Sequence, residues 1–147
     1  MIFIPNNVPS LKNSKTMTTI GKGKNKRPIL LPSKTVKKYL QTMGIKKYSG
    51  KKVEDYATRP NLFRESIGDY FQGAQLPVKV KFFFVRDSKR KFDFHNAVQI
   101  IADLLVAHGF IEDDNMDCFI PFPMMSDGEF YRVDKNKPGV FLKKMKV

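Results

Sequence analysis

The chain reads as a single mixed α/β domain (α+β), a small mixed β-sheet of about four strands with helices packed on it. Three observations predict this. Apolar residues alternate with lysine and then run continuously over 78–85, a three-and-four apolar spacing recurs in three other stretches, and short apolar runs bounded by Pro, Gly and Asn stand near both termini. A length of 147 residues with 41% hydrophobic content and 13 Phe is enough for one packed core and not for two, so residues 1–147 are expected to form one domain.

Residues 1–5 (MIFIP) suit a first strand, closed by a turn at Asn6-Asn7 and Pro9-Ser10. The stretch 15–32, rich in Lys, Gly, Ser and Thr, shows no sustained apolar period and reads as a basic variable loop. Ser33 can cap a helix over 35–48, with Val36, Tyr39, Leu40 and Met43 on one face. A second helix is expected over 60–72, placing Leu62, Phe63, Ile67, Tyr70 and Phe71 together and stopping at Gly73 and Pro77. The run 78–85 (VKVKFFFV) suits a central strand, with Phe82, Phe83 and Phe84 in the core, and a basic turn follows it at 86–91.

From Asp93 onward the period is helical to His108. Phe94, Ala97, Val98, Ile101, Leu104 and Leu105 make the stripe, Asn96, Gln99 and Asp103 lie opposite, and Gly109 suits the C′ position. Strands are expected at 118–120 and 140–142. No stretch reaches the roughly 18 apolar residues of a membrane span, and the lone Cys118 permits no internal disulfide, so a cytoplasmic setting is expected.

The net charge is +13, from 27 Lys+Arg against 14 Asp+Glu, which favours polyanions as partners. It is unevenly spread, +16 over residues 1–91 and −3 over 92–147. The 25 residues from Asp93 to Asp117 hold Asp93, Asp103, Glu112, Asp113, Asp114 and Asp117 together with both histidines, and no Lys or Arg. Carboxylates repel phosphate, so an acidic island in a polyanion binder makes sense if a divalent cation bridges the two.

A helix over 94–108 is about 22 Å long at about 1.5 Å per residue, so Asp93 and the Asp113-Asp114 pair start at opposite ends of it. They can meet if the acidic loop folds back along the sheet edge, or if two subunits pair.

Residues 90–117 (RKFDFHNAVQIIADLLVAHGFIEDDNMD) resemble the signature of the RusA family of Holliday-junction resolvases (crossover junction endodeoxyribonucleases), small dimeric nucleases of bacteria and their phages. That signature is a basic run, Asp-x-Asp-Asn, a Lys three residues on, an Asp four further, then a Gly and an Asp-Asp pair. Asp93, Asn96, Asp103, Gly109, Asp113 and Asp114 stand in step with it, and Pro9-Ser10-Leu11-Lys12-Asn13 resembles the family's Pro-Ser-x-Asn segment. Two positions depart: His95 replaces the second Asp and Gln99 replaces the Lys.

The resemblance implies a metal-dependent endodeoxyribonuclease that acts on branched DNA such as four-way junctions, as a homodimer without membrane association. It assigns catalysis to Asp93, Asp114 and Gln99, and metal ligation to Asp93, His95, Asp113 and Asp114. Mg²⁺ is the expected ion, with Mn²⁺ favoured by exchange of a carboxylate for an imidazole at His95. Lys12, Asn13, Lys15, Lys89, Arg90 and Lys91 are the expected DNA contacts. Asn96 and Asp103 are expected to orient the ligands.

Each residue also has an ordinary duty. Asp93 suits a helix N-cap, Asp113-Asp114-Asn115 suits a turn, His95 a solvent-facing first-turn position, and His108 a partner of the last helical carbonyls. Phe92 and Phe94 suit anchors for the helix start. Two other functions fit the composition: a junction-binding protein without hydrolysis, following from His95 and Gln99, and a basic RNA-associated protein whose acids are merely turns.

Overall fold

In the computed structural model the described residues are 1–10, 15–20 and 27–146, with 15–20 and 27–32 described by their backbone alone. The chain forms a mixed sheet of five strands with three helices, consistent with the α+β class expected. The sheet comprises β1 (Ile2–Pro5), β6 (Val78–Arg86), β7 (Phe119–Pro123), β8 (Tyr131–Val133) and β9 (Gly139–Lys144). Its order is β1-β9-β6-β7, and β8 follows β7 along the same edge of β6. β6 is central: it runs antiparallel to β9 and parallel to both β7 and β8.

Parallel strands need a long crossover. Here it is α3 (Phe94–Ala107), the longest helix. Its apolar stripe buries Ala97, Val98, Ile101, Leu104 and Leu105 against Val80, Phe82 and Phe84 of β6 in one core with Ile4, Phe119, Val140 and Leu142. Burying each large side chain there contributes about 1.5–3 kcal/mol. The short helices α1 (Lys34–Thr42) and α2 (Leu62–Ile67) add Val36, Tyr39, Leu40, Phe63 and Ile67 to the same core. Phe83 and Val85 are also buried but point to the other side, as strand alternation requires. There Phe83 packs beside Phe141 and under the Arg132 guanidinium.

Four sequence expectations change. The expected loop over 15–32 contains an antiparallel pair, β2 (Lys15–Ile20) and β3 (Arg27–Pro32), since Thr16–Ile20 and Ile29–Leu31 carry β-branched and apolar side chains that the lysines around them mask as a signal. The helix expected over 35–48 stops at Thr42. Gly44 takes φ +79°, and a Cβ there would come within 2.0 Å of the Pro60 carbonyl oxygen, so both backbone and space demand glycine. The residues beyond form β4 (Ile45–Ser49) and β5 (Lys52–Asp55), a hairpin whose two-residue loop is Gly50-Lys51, with Gly50 at φ +57°.

The second helix shrinks to six residues between the Asn61 cap and Gly68. β8 is an added strand whose three residues are all exposed, so no buried alternation announced it. Among the described residues no helix is long and apolar enough to cross a membrane.

Candidate functional site

Asp93 is held at the start of α3 by its neighbours. Phe92 and Phe94 each meet the Phe84 ring edge-on at 5.8 Å, so both anchor the helix start and leave Asp93 exposed between them. Asp93 caps the helix, its Oδ1 accepting the Asn96 backbone N–H at 3.1 Å.

Beneath this corner lies a residue that sequence reasoning treated as part of a turn. Arg86, buried at the end of β6, places its guanidinium 4.7 Å over the Phe92 ring, donates to the Val8 carbonyl and reaches Ser10 Oγ at 3.3 Å. Burial pulls its pKa below the usual value, and neighbouring Asp87 opposes this. Arg86 thus ties the Pro9-Ser10 segment to the strand that delivers Asp93. The signal available in sequence was an arginine closing an apolar strand.

His95, Gln99 and Asp103 follow at intervals of four on one face of α3. His95 is exposed, its ring 5.7 Å from that of Phe94. At Gln99 the acids converge: Nε2 donates to Asp103 Oδ1 at 2.7 Å and to Asp114 Oδ2 at 3.0 Å. Both bonds end on one nitrogen, so the two carboxylate oxygens lie within about 6 Å of each other.

The return of Asp114 to mid-helix has a local cause. Gly109 at φ +77° reverses the chain, the Phe110 amide bonds the Leu105 carbonyl at 2.9 Å, and buried Ile111 pins the loop. Asp113 Oδ1 then accepts the Asp114 amide at 2.8 Å, and the Asn115 carbonyl accepts the amides of Cys118 and Phe119. The turn reading of Asp113-Asp114-Asn115 therefore holds, and the turn delivers an acid to α3 as well.

The fold-back thus occurs within one subunit, but its landing point is Gln99, about 9 Å along the helix axis from Asp93. Among the described residues no three His, Cys, Asp or Glu side chains stand close enough to hold a metal ion. The expected set of Asp93, His95, Asp113 and Asp114 is not gathered into one cluster. Asp103, expected only to orient neighbours, shares the Gln99 amide with Asp114.

No protein-family model, curated protein or solved structure matches this chain.

Asp103, Asp113 and Asp114 line a shallow hollow of about 380 Å³ with Tyr48 and Lys51. Lys51 comes from the tip of the β4–β5 hairpin, so a cation stands beside the acids although Gln99 has none to offer. Burial, then the charge of Asp103, raises the pKa of Tyr48. Nothing in the sequence analysis singles out Lys51. The usable signal was the glycine between two short runs containing apolar residues, a hairpin mark.

Asp103 and Asp114 bring two carboxylates to one side of α3, and one or two carboxylates are what Mg²⁺ commonly takes from a protein, with water and substrate phosphate completing its shell.

Of the expected DNA contacts, Lys89, Arg90 and Lys91 are exposed on the connection leading to Asp93. Lys89 lines a second hollow, of about 580 Å³, with Phe130, Tyr131 and Arg132, and Tyr131 meets Phe92 edge-on at 5.1 Å. Lys12 and Asn13 lie outside the described residues. Lys15 opens β2, and its side chain lies outside them too.

His108 does what its place at the helix end suggests. Nδ1 donates to the Leu104 carbonyl at 2.7 Å, and Nε2 accepts from Asn61 Nδ2 at 2.9 Å, the tautomer that satisfies both bonds. Asn61 also donates to Asp55 at 3.0 Å and caps α2, so this imidazole joins α2, β5 and α3. Burial lowers its pKa, with the Leu104 bond opposing.

Proposed function

We propose that this chain is a metal-dependent endodeoxyribonuclease acting on branched DNA, with its reactive centre on the outer face of α3. The observation that carries the reading is the Gln99 amide, which joins Asp103 on its own helix to Asp114, 15 residues along the chain from Gln99, and so brings separated acids of the signature onto one helix face. In a protein of net charge +13, such a pairing makes sense where a cation joins acid to phosphate.

Asp114 and Asp103, with Asp113 beside them, would hold Mg²⁺ or Mn²⁺. A metal ion held there would supply an activated water and charge neutralisation at the scissile phosphate. The chain's own residues position the substrate. Gln99 holds the two acids in register, Lys51 offsets their charge, and Lys89, Arg90 and Lys91 contact the backbone beside Asp93. Asp93 and His95, one to two turns nearer the helix start, face the incoming strand. The working unit is a homodimer, which would present two sites to a symmetric junction, and its setting is the cytoplasm.

A second reading, junction binding without hydrolysis, is favoured by His95 and Gln99 standing where the signature has Asp and Lys, and by the absence of a three-group cluster among the described residues.

Synthetic four-way junctions incubated with Mg²⁺ or Mn²⁺ test both. Cleavage that is lost in Asp114→Asn supports the nuclease. Binding without cleavage under either ion supports the second reading. Equal affinity for junction, duplex and RNA refutes both in favour of a general RNA-associated protein.

A further inference from the structure

Lys79 and Lys81 near the start of β6, Lys143 and Lys144 at the end of β9 and Lys146 just beyond it gather at one end of the sheet, with Lys81 and Lys143 directly opposite each other in register. Strand alternation turns Lys79, Lys81 and Lys143 to the side away from the helices. Lys81, Lys143, Lys144 and Lys146 line one hollow of about 260 Å³. Lys79, Lys144 and Lys146 line another of about 430 Å³ beside it. Among the described residues no carboxylate lines either hollow and none of the five lysines forms an ion pair. Lys144 lies 4.6 Å over the Tyr70 ring.

Like charges set opposite each other across two strands destabilise a sheet, and one carboxylate at either position would relieve the strain. The chain keeps the repulsion, which an anionic partner would remove. We propose that this lysine hollow is a docking site for the sugar–phosphate backbone of a nucleic acid, separate from the acid hollow on α3.

Charge complementarity selects the occupant. A second copy docked face to face would set lysine against lysine. A membrane surface calls for an apolar face to insert, and here one exposed apolar residue, Leu76, borders the hollow. A nucleic-acid strand needs what is present: several flexible cations side by side and no acid to repel it. The inference rests on the nucleic-acid part of the function proposed above and is independent of hydrolysis.

The test is the salt dependence of binding to a labelled four-way junction by wild type and by a Lys81→Gln/Lys143→Gln/Lys146→Gln variant. The expected result is affinity weakened by about 10-fold or more, and a slope of log K against log salt shallower by about 2 to 3. The variant's melting temperature should equal or exceed that of wild type, because repulsion has been removed. If the triple variant does not fold, Lys143→Gln alone should lower the slope by about 1.

Unchanged affinity and slope overturn the proposal and leave the proposed function standing. Wild type that binds neither junction nor duplex overturns both. Loss of binding to phosphatidylserine vesicles with DNA binding intact assigns the hollow to a lipid surface and overturns the proposal as well.

Discussion

Gln99 and Asp114 are joined by a 3.0 Å hydrogen bond across 15 residues, and the same Gln99 nitrogen holds Asp103 at 2.7 Å. One neutral amide therefore separates two carboxylates, the exposed Asp114 and the half-buried Asp103. In Gln99→Ala they would face each other with only water between them. Because the bonds are exposed, the expected loss of stability is below about 1 kcal/mol. The larger effect is local: backbone amides over 113–117 exchange with solvent faster than in wild type, and junction cleavage falls. Exchange at wild-type rates would show that Gln99 does not order the loop.

Lys51 is the cation of the acid hollow. Under the proposed nuclease function, Lys51→Gln should reduce single-turnover cleavage by about 10-fold or more, since the positive charge beside the acids is lost. Its exposed position on a hairpin tip predicts a melting temperature within error of wild type. Equal loss in Lys52→Gln would point to bulk charge rather than to position.

Arg86 is buried with its guanidinium divided among Val8, Ser10 and the Phe92 ring. Arg86→Leu leaves the Val8 carbonyl without its charged donor and should cost about 2–4 kcal/mol in urea unfolding. Arg86→Lys should recover little, because an ammonium lacks the planar fork that serves two partners while stacking. A full recovery by lysine would mean that charge alone matters at this corner.

His108 sets a pH dependence. Its folded pKa lies below the ordinary value of 6.5, mainly through burial, so the unfolded chain takes up the proton first on acidification. Stability from this group is complete above about pH 6.5 and is lost as pH falls from there toward the folded pKa, below which the loss levels off. Asp55, whose pKa is lowered chiefly by its bond from Asn61, behaves alike at lower pH: its contribution is present above the ordinary 3.8 and lost as pH falls through its folded pKa. Urea unfolding across that range should show the first loss in wild type and not in His108→Asn. A variant that keeps the same slope would place its origin elsewhere.

Much of this was legible in sequence where one periodic stripe met one core. The helix from Phe94, its Asp93 cap, its Gly109 stop and the strand over 78–85 follow from spacing alone. The β4–β5 hairpin was hidden because the spacing of Val36, Tyr39, Leu40 and Met43 runs smoothly into Ile45, and only the space below Gly44, filled by the Pro60 carbonyl, breaks it. The contact of Asp114 with Gln99 was not legible at all. It depends on where buried Ile111 anchors the turn, a tertiary matter, and for the same reason spacing could not reveal that Asp103 would meet Asp114.

β7 has a further effect. It pairs with β6 through one side, with Pro121 opposite Val80 and Pro123 opposite Phe82. Neither proline has an N–H to offer, and past Pro123 the rim steps across to the three residues of β8. An incoming strand would find a short, interrupted ladder with missing donors, the condition under which sheet edges resist growing into fibres. Two copies of this chain that associate would not do so by pairing β7 edge to edge, which leaves the stepped rim open beside Phe130 and Tyr131.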